Sequence, residues 1–136
     1  MVKVNRKFAV PYGAGSSKDN KTVYIDYRVP QKIKTMSGKK IDVVKALVAH
    51  ETSEEKAMDR GMSYEKAHDK VAVPTENKEV RSQGASPREY NHILNKTLDK
   101  FAGKKKEIKR AEPPDLDPKP YKDEHKLSLL KKIVHK

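Results

Sequence analysis

The chain reads as an α+β protein, a short β-hairpin or sheet packed on about three helices, with extended basic arms at its N- and C-termini. Three features of the sequence point there. Apolar residues recur at helical spacing in three stretches beyond residue 42, β-branched and aromatic residues cluster from Thr22 to Val29, and Lys/Arg mixed with turn formers crowd both ends. The 136 residues suffice for one compact domain with appended segments. Hydrophobic residues are 35% against 37% charged, with no Trp and two Phe, so a modest core with polar arms is expected.

Residues 1–21 hold Pro11, Gly13, Gly15, Ser16, Ser17, Asp19 and Asn20 with no apolar period, and read as a flexible basic arm. Gly13-Ala14-Gly15 lacks the Gly-Lys-Ser/Thr ending of a phosphate loop. The folded core is expected over residues 22–103. Thr22–Val29 reads as a strand closed by Pro30. Lys32–Met36 and Lys39–Ile41 flank Ser37-Gly38 and predict a hairpin whose alternating lysines make one basic face.

Asp42 is an N-cap for a helix from Val43 to Arg60, with Gly61 as its stop and Val43, Val44, Leu47, Val48 and Met58 as its apolar stripe. Ser63 caps a second helix from Tyr64 to about Val73, where Pro74 is expected to interrupt it before a further helical stretch, Thr75 to Arg81. Ser86-Pro87-Arg88-Glu89 combines an N-cap, a first-turn proline and a capping-box glutamate. It starts a helix to Ala102 that buries Tyr90, Ile93, Leu94, Leu98 and Phe101. Residues 104–121 read as a basic, Pro-rich linker and residues 122–136 as an amphipathic helix with Leu127, Leu130, Ile133 and Val134 on one side.

Charge divides the chain. Residues 1–41 carry ten Lys/Arg against two acids, residues 42–80 six against nine, and residues 81–136 fifteen against eight, for a net charge of +12. Basic ends suit phosphate contacts, which release counterions. An acidic middle suits a cation site or an ion-pair network. The absence of cysteine excludes disulfides and thiolate metal sites. No apolar run reaches the roughly 18 residues of a spanning helix, and no leader-like segment opens the chain. An intracellular or virion location, in host cytoplasm where a phage is involved, is the expectation, with no membrane partner.

One constellation carries chemistry. His50 and Glu54 lie one helical turn apart, Glu51 sits beside them, and Leu47 and Met58 flank them. Polar groups on such a face must be paired or metal-bound, because burying them alone costs several kcal/mol. His68 follows eighteen residues after His50, and Glu76 eight after His68, on the next helical stretches. An antiparallel helix pair turning at Gly61 places His68 opposite His50 and Glu54. His50, Glu54, His68 and Glu76 together offer nitrogen and oxygen ligands for Zn²⁺ or a similar ion, with Glu51 placed to activate a bound water. The other reading of the same residues is a buried His–Glu hydrogen-bond network, His50 pairing within its helix or with Asp69 or Glu76.

His50-Glu51-x-x-Glu54 resembles the His-Glu-x-x-His helix of zinc metallopeptidases, with a carboxylate in place of the second histidine. With Gly61, Tyr64-x-x-Ala67-His68, Glu76 and the preceding Tyr27-Arg28-Val29-Pro30, the pattern resembles small uncharacterised proteins of bacteriophages and their bacterial hosts. This second resemblance spans about residues 22–92, half the chain, and implies no established activity. The likeness to the metallopeptidase helix implies His50 and Glu54 as metal ligands, Glu51 as general base and His68 as a third ligand.

Lys104, Lys105, Lys106, Lys109 and Arg110 form a second candidate surface, for phosphates of nucleic acid, while Leu127, Leu130, Ile133 and Val134 suit docking on a partner subunit. Tyr24 and Tyr27 are three apart and make no stacking platform in a strand, so binding through the arms is expected to be indifferent to sequence. The leading expectation is a non-enzymatic component of a phage-type or nucleoprotein assembly. A zinc-dependent hydrolase of peptidase type and a sequence-nonspecific DNA-binding regulator are the alternatives.

Overall fold

The computed structural model describes residues 2–10, 13–102, 111 and 113–116. Lys104, Lys105, Lys106, Lys109, Arg110, Leu127, Leu130, Ile133 and Val134, and the expected helix 122–136, lie outside the described residues. The fold is α+β. It divides into two units, residues 1–29 with 95–136, and residues 30–94.

The first unit holds a three-stranded sheet of β1 (Lys3–Asn5), β2 (Ala14–Ser16) and β3 (Thr22–Ile25) in the order β1-β3-β2. β1 runs parallel to β3, pairing Val4 with Val23, and β2 runs antiparallel to it, pairing Gly15 with Tyr24. β3 arises where the sequence predicts it, although it stops at Ile25. The expectation of an irregular arm over residues 1–21 is corrected: two strands lie there, and Ala9, Val10 and residues 13–17 are buried. Ala-Gly-Ser has neither β-branching nor alternation, so pairing to β3 makes it a strand against its own propensity.

Asp26, fully buried, ties the unit together. Its carboxylate accepts from the Val10 and Arg28 backbone N–H groups and pairs with the Arg28 guanidinium at 2.9 Å. The Pro-rich segment read as a linker makes contacts at residues 111 and 113–116: Ala111 O accepts from Ala9 N, Asp115 O from Lys18 N, and Leu116 bridges Ser17. Leu116 and Phe8 pack on Val10 and Tyr24, and the Tyr24 hydroxyl donates to the Asp115 carboxylate.

The second unit opens with the hairpin of β4 (Lys32–Lys34) and β5 (Lys40–Asp42), in the register Ile33 to Ile41. α1 (Val43–Asp59) follows directly, and the Asp42 carboxylate accepts from Lys45 N at 3.0 Å as its N-cap. Its end is a Schellman motif: Gly61 N donates to Met58 O and Met62 N to Ala57 O, with Gly61 at φ 95. The left-handed φ is why glycine stands there.

α2 (Tyr64–Lys66), a π-helical segment (Ala67–Ala72) and α3 (Val73–Ser82) form one continuous helix capped by Ser63. The break expected at Pro74 is therefore corrected. The proline falls in the first turn of α3, and the turn before it widens so that Val73 N donates to His68 O. The wider turn accommodates a residue that lacks an N–H and whose ring crowds the carbonyl four back.

α4 (Pro87–Ala102) begins at Ser86 as expected, and Ser86 Oγ accepts from Glu89 N at 3.4 Å. The Glu89 side chain does not close the capping box. It accepts instead from the Met36 N–H at the hairpin turn. Tyr90 and Leu94 are buried and Ile93 is half-buried. Among the described residues no helix is long and apolar enough to cross a membrane.

Candidate metal centre

The buried face of α1 is not the apolar stripe that the sequence suggests. Val44, Leu47, Val48 and Met58 are only half-buried, while Val43, Ala46, His50, Glu51, Glu54, Glu55 and Ala57 are buried. Between the small residues Ala46 and Ala57 the buried positions are an imidazole and three carboxylates. The facing helix buries Tyr64, Ala67, Ala72, Glu76 and Val80. These steps are three or four residues except the five from Ala67 to Ala72, and the π-helical turn takes up that extra residue.

The cluster is built around His50. Its Nδ1 lies 2.7 Å from Glu76 Oε1, and its Nε2 3.2 Å from Glu54 Oε2. The His68 ring packs edge-on against it, centroids 5.0 Å apart, and Tyr64 stacks at a tilt on the far side of His68 at 5.6 Å. His68 Nδ1 meets Asp69 Oδ1 at 3.0 Å. Ligand atoms of His50, Glu54 and His68 lie within 4.8 Å of one another, as do those of Glu51, Glu54 and Glu55. Glu54 belongs to both groups. His50, Glu51, Glu54 and Glu55 are each 5% exposed or less, and His68 is half-buried, the member nearest solvent.

The carboxylate oxygens lie close enough together for one cation to reach them. Two unit negative charges within 4.8 Å would repel by at least roughly 3 kcal/mol at an effective dielectric of about 20. A divalent ion converts that repulsion into attraction. Each histidine carries a carboxylate on Nδ1, which is how protein-bound metals hold imidazole ligands through Nε2. The ligand types, imidazole nitrogen with carboxylate oxygen, suit Zn²⁺ and related ions.

Of the residues singled out in the sequence, the fold brings His50, Glu54 and His68 to one point and sets Glu51 beside Glu54. Glu76 reaches His50 on its other nitrogen, and Asp69 pairs with His68 rather than with His50. Glu55 stands outside the sequence motif, and Tyr64 enters it only through the Tyr64-x-x-Ala67-His68 pattern. Glu55 lies one turn from Glu51 and Tyr64 one turn from His68, so helical spacing is the signal that marks both. Tyr90, from α4, faces Glu76 in the interior; burial first, then the Glu76 charge, pushes its phenol well above the ordinary tyrosine range.

Comparison with protein-family models, curated proteins and solved structures finds no match to this chain.

Proposed function

We propose that the second unit is a divalent-metal site, with zinc the leading ion, and that it serves a hydrolase of peptidase type. The observation that carries this reading is the convergence of His50, Glu54 and His68 ligand atoms within 4.8 Å inside a buried, carboxylate-rich helix pair. A bound ion of this kind would supply Lewis acidity and lower the pKa of a coordinated water. The chain's own residues do the rest. His50, Glu54 and His68 hold the ion, His68 marks the side nearest solvent, and Glu51 is the carboxylate available as a general base. The likeness of His50-Glu51-x-x-Glu54 to the metallopeptidase helix supports the same assignment. The test is Glu51→Gln assayed on casein and on a mixed peptide library. Hydrolysis is expected to fall at least 100-fold, with bound metal unchanged. Activity equal to wild type in the variant, or none in a zinc-loaded wild type, removes the hydrolase reading.

A second reading rests on charge. The net charge of +12 and the basic runs near both ends favour a role in a phage-type or nucleoprotein assembly, or in sequence-nonspecific binding of DNA. It predicts nucleic-acid binding that weakens steeply between low and moderate salt, and binding indifferent to salt would remove it.

A further inference from the structure

We propose that Glu76 is a positioning residue rather than a ligand: its carboxylate accepts the Nδ1 proton of His50 and so presents Nε2 to the metal. This rests on the metal-centre reading above. The two imidazole nitrogens point to diverging edges of the ring. Glu76 Oε1 sits 2.7 Å from Nδ1, whereas Nε2 faces Glu54 Oε2 at 3.2 Å, and Glu54 is the carboxylate that shares a metal-ligand group with His50 and His68. A cation on the Nε2 lone pair therefore lies away from Glu76, and one on Nδ1 would abandon Glu54. Among the described residues the metal-ligand group that forms is His50, Glu54 and His68, without Glu76.

The contact is fixed from several directions. Glu76 comes from α3 and His50 from α1, and both are nine-tenths buried, so neither swings into solvent. Tyr90, fully buried on α4, lies near enough to Glu76 for the carboxylate charge to help raise its phenol. The order on this reading is Glu76, His50, metal. A carboxylate in this place selects the Nδ1–H tautomer, whereas neutral histidine in water prefers the other, and it makes Nε2 a stronger donor. His68 repeats the arrangement with Asp69, but there the carboxylate is exposed at the surface. The buried pair should dominate the affinity.

The experiment titrates Co²⁺ into the full chain, following its visible absorption, for wild type, Glu76→Leu, Glu76→Gln and Tyr90→Phe. Glu76→Leu is expected to weaken Co²⁺ binding 10- to 100-fold and to shift the absorption bands. Glu76→Gln keeps an acceptor oxygen and should restore most of the affinity, and Tyr90→Phe should cost only a few-fold. A merely structural Glu76 would change melting temperature and leave affinity and bands in the folded protein alone, and that result overturns the proposal. Nitrogen-15 NMR of the metal-free wild type gives a readout independent of variant folding and of metal. With His50 neutral, the Nδ1–H tautomer is expected, and Nε2–H overturns the proposal. A wild type that takes up no Co²⁺ yet shows Nδ1–H would sink the metal reading and leave the role of Glu76 in setting the ring standing.

Discussion

Each unit buries carboxylates, and it does so in opposite ways. Asp26 in the first unit is met by the backbone N–H of Val10, the backbone N–H of Arg28 and the Arg28 guanidinium. Each oxygen faces a donor or a positive charge, so the residue is a staple. In the second unit Glu51, Glu54 and Glu55 gather carboxylate against carboxylate, with an imidazole alongside. The first arrangement is complete as folded. The second, on the metal-centre reading, is arranged to take up a cation. Burial of charge alone therefore does not mark a function; the sign of the neighbours does.

The largest expected effect breaks the first arrangement. Asp26→Ala strands Arg28 and leaves two backbone donors without their acceptor, and should cost about 3 kcal/mol in denaturant unfolding while metal content stays at the wild-type level. The second unit should answer in the opposite direction. Glu54→Gln removes the one carboxylate that both ligand groups share, and should raise the stability of the metal-free protein by about 1 kcal/mol while abolishing metal uptake. A loss of stability there would mean that Glu54 is a staple like Asp26, and the contrast would fail.

A smaller effect belongs to Tyr24. Its hydrogen bond to the Asp115 carboxylate, then burial, push the phenol up to about 12 from 10.0. A raised folded-state pKa means a contribution fully present below pH 10 and lost as pH climbs towards 12. Spectrophotometric titration should find Tyr24 ionising late, alongside the still later Tyr90, and Tyr24→Phe should remove the Tyr24 step and flatten the alkaline loss of stability. A Tyr24 that titrates at the ordinary value would mean that Asp115 does not hold its place beside it.

Much of this was legible in the sequence because local chemistry decided it. Asp42, Ser63 and Ser86 cap the helices that their side chains predict, Gly61 ends α1, and Ser37-Gly38 turns the hairpin. His50, Glu54 and His68 were legible as a group because helical spacing and an antiparallel turn brought them together. What stayed hidden depends on partners distant in the chain. β1 and β2 exist because β3 pairs with them, which no local period announces. Pro74 reads as a break from local rules, and the π-helical turn that absorbs it shows only as a five-residue step between buried alanines. Glu76 reads as one more ligand because the sequence cannot tell which imidazole nitrogen it meets.

The most direct test of the metal centre is elemental analysis of the purified full chain, reconstituted with zinc and dialysed, for wild type, His50→Ala and His68→Ala. About one equivalent of metal in wild type and little in either variant is the predicted result. Metal-free wild type after reconstitution, or equal metal in all three proteins, would contradict the account and leave the cluster as a hydrogen-bond network between two helices.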